Sequence, residues 1–131
     1  MFNPEKIKEI AKVSKAEKWP FPKILTAWKE AGVEEYAVDL SRGTITYYSN
    51  GSELTDGDVP ALKNLPDCGR FDPNALKEAI HVHQVKRTSY TEVIQEIVKA
   101  GVAHYRVDVI ARTCTYFGKN PGEEHVETFP A

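Results

Sequence analysis

Apolar positions along this chain follow two periods in succession. Ile7, Ile10 and Ala11, then Ile24, Leu25, Trp28 and Ala31, are spaced for one buried helical face each. The period then falls to two, with Tyr36, Val38 and Leu40 alternating with Ala37, Asp39 and Ser41, as in a strand that buries one side. The same succession returns as Leu76, Ala79 and Ile80, then Val93, Ile94, Ile97 and Ala100, then Tyr105, Val107 and Val109.

The recurrence is residue for residue. Residues 2–48 align with residues 71–117 without a gap, an offset of 69 positions. Phe2-Asn3-Pro4 matches Phe71-Asp72-Pro73, Ala31-Gly32-Val33 matches Ala100-Gly101-Val102, and Thr44, Thr46 and Tyr47 match Thr113, Thr115 and Tyr116. Asn3 and Asp72 are suited to capping a helix, with Pro4 and Pro73 at the first helical position, where the missing N–H is no loss. A second helix is expected after Pro20 in one copy and after Ser89 in the other, where Ser89 and Glu92 make a capping box. Gly32 and Gly101 stop these helices.

A two-residue turn at Arg42-Gly43 would return the first strand through Thr44–Tyr48. That register sets Leu40 against Ile45, Val38 against Tyr47 and Asp39 against Thr46. In the second copy it sets Val109 against Cys114, Val107 against Tyr116 and Asp108 against Thr115, and puts Phe117 across from Arg106. Short third strands are expected at Ser52–Thr55, after an Asn50-Gly51 turn, and at Glu124–Glu127. The fold class is therefore α+β: tandem duplicated helix-helix-β-hairpin units forming one antiparallel sheet, with helices packed on one face. The chain reads as a single domain, with copy one at about 2–58, a linker rich in Gly, Pro and Asp at about 55–70, and copy two at about 71–128.

Composition narrows the function classes. Up to Arg70 there are 10 basic and 11 acidic residues, and after it 7 and 8, so neither half carries the basic footprint of a nucleic-acid binder. The opening Met1–Lys6 begins a charged helix without an apolar signal region, and no stretch is apolar enough to span a membrane. Cys68 and Cys114 fit reduced thiols in a cytoplasmic protein.

The Ala100-Gly101-Val102 turn, the strand Tyr105-Arg106-Val107-Asp108-Val109, the run Arg112–Gly118 and the closing His125–Pro130 resemble the YbcV-like proteins, small bacterial and prophage-associated proteins. The resemblance implies a chain of about this length with no assigned reaction. It is clearest over Ser89–Pro130, and it carries over no functional residue.

The candidate chemistry lies on the sheet face turned away from the helices. His104, Arg106 and Asp108 alternate along one strand and share that face, where Arg106 could hold an anionic ligand. Asp39 and Asp108 recur at equivalent positions although aspartate is uncommon in strands. They make either a pair of carboxylates for acid–base work or a cation, or a structural Asp–Thr bond. His81 and His83, about 200° apart around a helix, do not share an ion easily. Cys114 faces the core with no histidine expected in reach. Walker, dinucleotide, Gly-x-Ser-x-Gly and Cys-x-x-Cys motifs are missing, and no cofactor or metal is expected.

Two functions follow. In the first, the protein is a non-enzymatic interaction module whose outer face presents Ala37, Tyr48, Ile110 and Phe117 beside Asp39, Arg106 and Asp108, with a homodimer through that face burying at least ~1,000 Å². An unidentified protein or small molecule is the other class of partner. In the second, Asp39, His104, Arg106 and Asp108 serve a small-molecule enzyme or ligand-binding protein, which requires a concave pocket around them.

Overall fold

The computed structural model describes residues 4–17, 19, 21–49, 51–57, 62, 63, 65, 68–86 and 90–128. The elements are α1 (Pro4–Ala16), α2 (Phe21–Glu30), β1 (Glu35–Asp39), β2 (Thr44–Ser49), β3 (Ser52–Asp56), α3 (Pro73–Lys86), α4 (Tyr90–Lys99), β4 (His104–Asp108), β5 (Thr113–Phe117) and β6 (Glu124–Thr128). The α+β expectation holds: among the described residues four helices accompany one six-stranded sheet, every pairing in it antiparallel.

Helix ends follow local chemistry. Asp72 Oδ1 accepts the N–H groups of Asn74 and Ala75, both at 3.1 Å, so it caps α3 ahead of Pro73. At the end of α2, Gly32 N–H donates to Lys29 O and Val33 N–H to Trp28 O, and at the end of α4 Gly101 and Val102 donate to Val98 and Ile97 in the same way. Both glycines sit at positive φ, 90° and 96°, which is why glycine stands there. The expected caps Asn3 and Ser89, together with Phe2, Pro20, Asn50 and the closing Pro130, lie outside the described residues.

The strands run β3-β2-β1-β4-β5-β6 across the sheet. Tyr36, Val38, Ile45, Tyr47, Tyr105, Val107, Cys114 and Tyr116 join Ile7, Ile10, Leu25, Trp28, Leu76, Ile80, Ile94 and Ile97 in one buried cluster. One sheet face is thus packed on the helices. The alternate residues stay partly or fully exposed, as the burial patterns of β1, β2, β4 and β5 show. Trp28 packs on Tyr36 and Tyr47 with ring centroids 5.9 and 5.1 Å apart.

The hairpin register corrects the sequence expectation. Val38 pairs with Ile45 and Asp39 with Thr44, while Val107 pairs with Cys114 and Asp108 with Thr113. The loops are therefore four residues, Leu40–Gly43 and Val109–Arg112, and not two. Leu40 and Val109 leave the strands yet stay buried, so their hydrophobicity mimicked one more strand position. Because the slip is two residues, each side chain keeps its expected face. Two described residues of the segment read as a linker meet the rest of the fold. Leu62 is buried, with its carbonyl beside Gly43, and the Gly69 N–H donates to Val98 O.

Candidate functional site

The outer face is built by the odd-numbered residues of β1 and the even-numbered residues of β4, which lie side by side at the middle of the sheet. Glu35 pairs with Asp108, Ala37 with Arg106 and Asp39 with His104. On the flanks, Thr44, Thr46 and Tyr48 of β2 and Thr113, Thr115 and Phe117 of β5 extend the same face.

Arg106 bonds through its Nε to Glu35 Oε1 on the neighbouring strand, and its guanidinium lies 5.7 Å from the Tyr48 ring centroid. The side chains of Arg106 and Glu35 are 48 % and 36 % exposed, so water screens this pair and its net contribution to stability is small. Phe117 does not meet Arg106. It pairs with His104, and the two rings stack at 4.6 Å with 13° between their planes, because the four-residue loop moves Phe117 two places along β4. Ile110, expected on the face, lies at the exposed tip of the β4–β5 loop. Val126 on β6, which pairs with Thr115, adds an apolar side chain 53 % exposed that the sequence reading did not single out.

The recurring aspartates have a local explanation. Asp39 Oδ1 accepts the Ser41 hydroxyl at 2.7 Å and the N–H groups of Ser41 and Arg42 at 3.0 and 3.1 Å, and Arg42 Nε stands 3.8 Å from Oδ2. Partial burial would raise the Asp39 carboxyl, but the Ser41 hydroxyl, the two N–H donors and the Arg42 charge outweigh it and hold it below its ordinary value. Asp108 Oδ1 accepts Ala111 N–H at 2.8 Å. Each aspartate thus caps the loop that follows it, in the manner of an Asx turn. The Asp–Thr pairs of the register are Asp39 with Thr44 and Asp108 with Thr113.

A second polar group lies on the helix side of the sheet near its β6 edge. Tyr116 hydrogen-bonds Cys114, its ring lies 6.5 Å from that of His125, and His125 Nε2 bonds Glu127 Oε2. His125 pairs with Tyr116 and Glu127 with Cys114 in the register. Burial pushes the Cys114 thiol up to about 12; Tyr116 lowers it and Glu127 raises it. Burial likewise raises the Tyr116 phenol well above its ordinary value. The thiol is therefore protonated and shielded, unsuited to nucleophilic attack. Sequence reasoning placed no histidine near Cys114. The alternation of Glu124–Glu127 carried the signal, but it needed the β5–β6 register to be read.

His81 is exposed and His83 half-buried on α3. Among the described residues no group of three or more His, Cys, Asp or Glu side chains is arranged to hold a metal ion. A groove of about 260 Å³ is lined by Ile7, Lys8, Tyr47, Leu54, Thr55, Asp56 and Gly57; Asp39, His104, Arg106 and Asp108 are not part of it. No helix among the described residues is long and apolar enough to cross a membrane.

Residues 69–128 match the model of a family described as a protein of unknown function, DUF1398. Uncharacterized proteins of Mycobacterium bovis and Mycobacterium tuberculosis are 33% identical to the chain over 98 residues, covering 75% of it and 60% of the relative. The chain thus spans about 60% of the length of these curated relatives.

Proposed function

We propose that this protein is a non-enzymatic interaction module that acts by association through the outer face of its sheet, with a second copy of the chain as partner. The observation that carries the reading is the one-sided packing of the sheet. Its inner face is sealed by the helices, while the outer face presents the His104–Phe117 stack, the Arg106–Tyr48 contact and an exposed Val126. Aromatic residues and arginine are the types enriched where protein interfaces are centred. The polar groups on this face are engaged with one another or with their own loops, an arrangement that suits docking better than proton transfer.

The same proposal takes the chain as a tandem duplicate of one helix–helix–hairpin unit, similar to YbcV-like prophage-associated proteins and working in the cytoplasm. The ungapped alignment of residues 2–48 with 71–117 supports the duplication, as does the twofold occurrence of two helices followed by three strands. The two free cysteines suit a reducing compartment.

Sedimentation of the wild type and of Phe117→Lys at tens of micromolar tests the contact. A dimer weakened by the substitution supports the face as the contact, and a dimer it leaves unchanged removes the face from that contact. A wild-type monomer would remove the self-association reading and favour the small-molecule alternative built on Asp39, His104, Arg106 and Asp108.

A further inference from the structure

Among the described residues the sheet ends in two edge strands, β3 and β6, and a strand with one unpaired side is a template for another. The two edges offer a second copy very different partners. β6 reads Glu124-His125-Val126-Glu127-Thr128. Laid antiparallel against itself about Val126, it sets His125 opposite the partner's Glu127, Glu127 opposite the partner's His125, Glu124 opposite the partner's Thr128, and valine against valine. β3 laid against itself about Leu54 sets Ser52 against Asp56 and Glu53 against Thr55, with no opposite charges facing.

The main chain agrees with this register. Gly118 N–H donates to Glu123 C=O at 2.8 Å where β5 meets β6. The alternation of an antiparallel ladder then makes Tyr116–His125 and Cys114–Glu127 the hydrogen-bonded pairs and turns the N–H and C=O groups of Glu124, Val126 and Thr128 toward the free edge. Pairing about Val126 joins those groups to their counterparts. It also leaves His125 and Glu127 as non-hydrogen-bonded pairs with the partner, the sites where side chains across a ladder come closest.

Val126 is open to a partner, and the His125–Glu127 pair beside it is half-buried. Val126 is 53 % exposed, and His125 and Glu127 retain 15 % and 29 % of their exposure while bonded to each other within the strand. Two such pairs brought together set each imidazole beside a carboxylate of the other copy that can accept its N–H. Charges on an edge strand ordinarily deter pairing. Here they deter the wrong register, since a slip of one residue can bring Glu124 against Glu127.

We infer that β6 is a self-complementary edge that docks a second copy of this chain, continuing the sheet across a two-fold axis at Val126. The inference rests on the self-association proposed above, and moves the contact from the face to the edge. An isologous contact of this kind closes after two copies.

Sedimentation of the full chain with four variants tests it. Val126→Pro removes an N–H directed at the free edge and none from the β5–β6 ladder, so the fold, followed by circular dichroism, should survive. It should weaken the dimer about tenfold or more. His125→Glu should do the same by setting carboxylates opposite each other, and the double variant His125→Glu with Glu127→His should restore the dimer. Phe117→Lys should leave it intact. A dimer insensitive to Val126→Pro and His125→Glu but lost in Phe117→Lys would overturn the edge contact and keep the face contact. A wild-type monomer would overturn both, and open-ended oligomers would overturn the closed edge pairing.

Discussion

Ala37 and Arg106 face each other across the β1–β4 junction, and the pairing of the two central strands is symmetric about them. Tyr36 pairs with Val107 and Val38 with Tyr105, so each tyrosine meets the valine that stands two places beyond the other tyrosine. At the centre of this pairing a small side chain stands beside a long one on the outer face. The small side chain leaves the Arg106 guanidinium free to turn toward Glu35 and Tyr48.

Trp28→Ala is expected to destabilise the protein by about 3–5 kcal/mol, since it empties a site against Tyr36 and Tyr47 in a core where Trp28 is only 4 % exposed. Denaturant titration measures it. A loss under about 1 kcal/mol would mean that the two tyrosines close over the gap.

Asp39→Ala should cost about 1–2 kcal/mol through the loss of the loop-capping bonds, a range kept low because the carboxylate is partly in water. Asp39→Asn should cost less, because the amide oxygen can still accept the Ser41 and Arg42 donors. The folded Asp39 carboxyl lies below its ordinary value of 3.8. Its contribution is therefore fully present above that value and is lost as the pH falls through the lower folded value. Acid titrations of the wild type and Asp39→Asn should diverge there and nowhere higher.

The two hairpin loops should respond oppositely to exchange of their last residue. Arg112 holds a φ of 59° where the first loop has Gly43 at 71°. Arg112→Gly relieves left-handed strain and should stabilise by up to about 1 kcal/mol after the extra entropy of glycine is counted. Gly43→Ala adds that strain and brings a Cβ within 3.0 Å of the Leu62 carbonyl oxygen, so it should destabilise by about 1–2 kcal/mol. Thermal melts of the two variants should move in opposite directions. Arg42→Ala, whose side chain is 82 % exposed, should change little.

Thiol-reactive reagents should separate the cysteines. Cys68 is half-buried and Cys114 buried, so Cys68 should react in the folded protein and Cys114 only on unfolding. The Cys114 thiol, pushed up to about 12 from 9.0, favours the folded state while it stays protonated. That contribution is complete below about 9 and is lost as the pH rises through the folded value. Cys114→Ser should flatten this alkaline loss, and an unchanged alkaline profile would show that other groups govern it.

The local features of this protein were legible in its sequence because they depend on neighbours a few residues away. The helical stripes, the Asp72 cap and the Gly32 and Gly101 stops involve contacts within a turn or two. The inner and outer faces of the strands survived a wrong register because a slip of two residues preserves alternation. What required the tertiary structure was everything set between distant residues. The four-residue loops are decided by carboxylates that cap them and by Leu40 and Val109 reaching the core from outside the strands. That β1 lies beside β4 is a choice among strand orders that period alone leaves open, and it brings Glu35 to Arg106 and Asp39 opposite His104. Likewise His125 comes beside Tyr116 only through the β5–β6 ladder. Periodicity reports which side of a strand faces water, whereas the neighbour across the ladder is chosen by the packing of the whole chain.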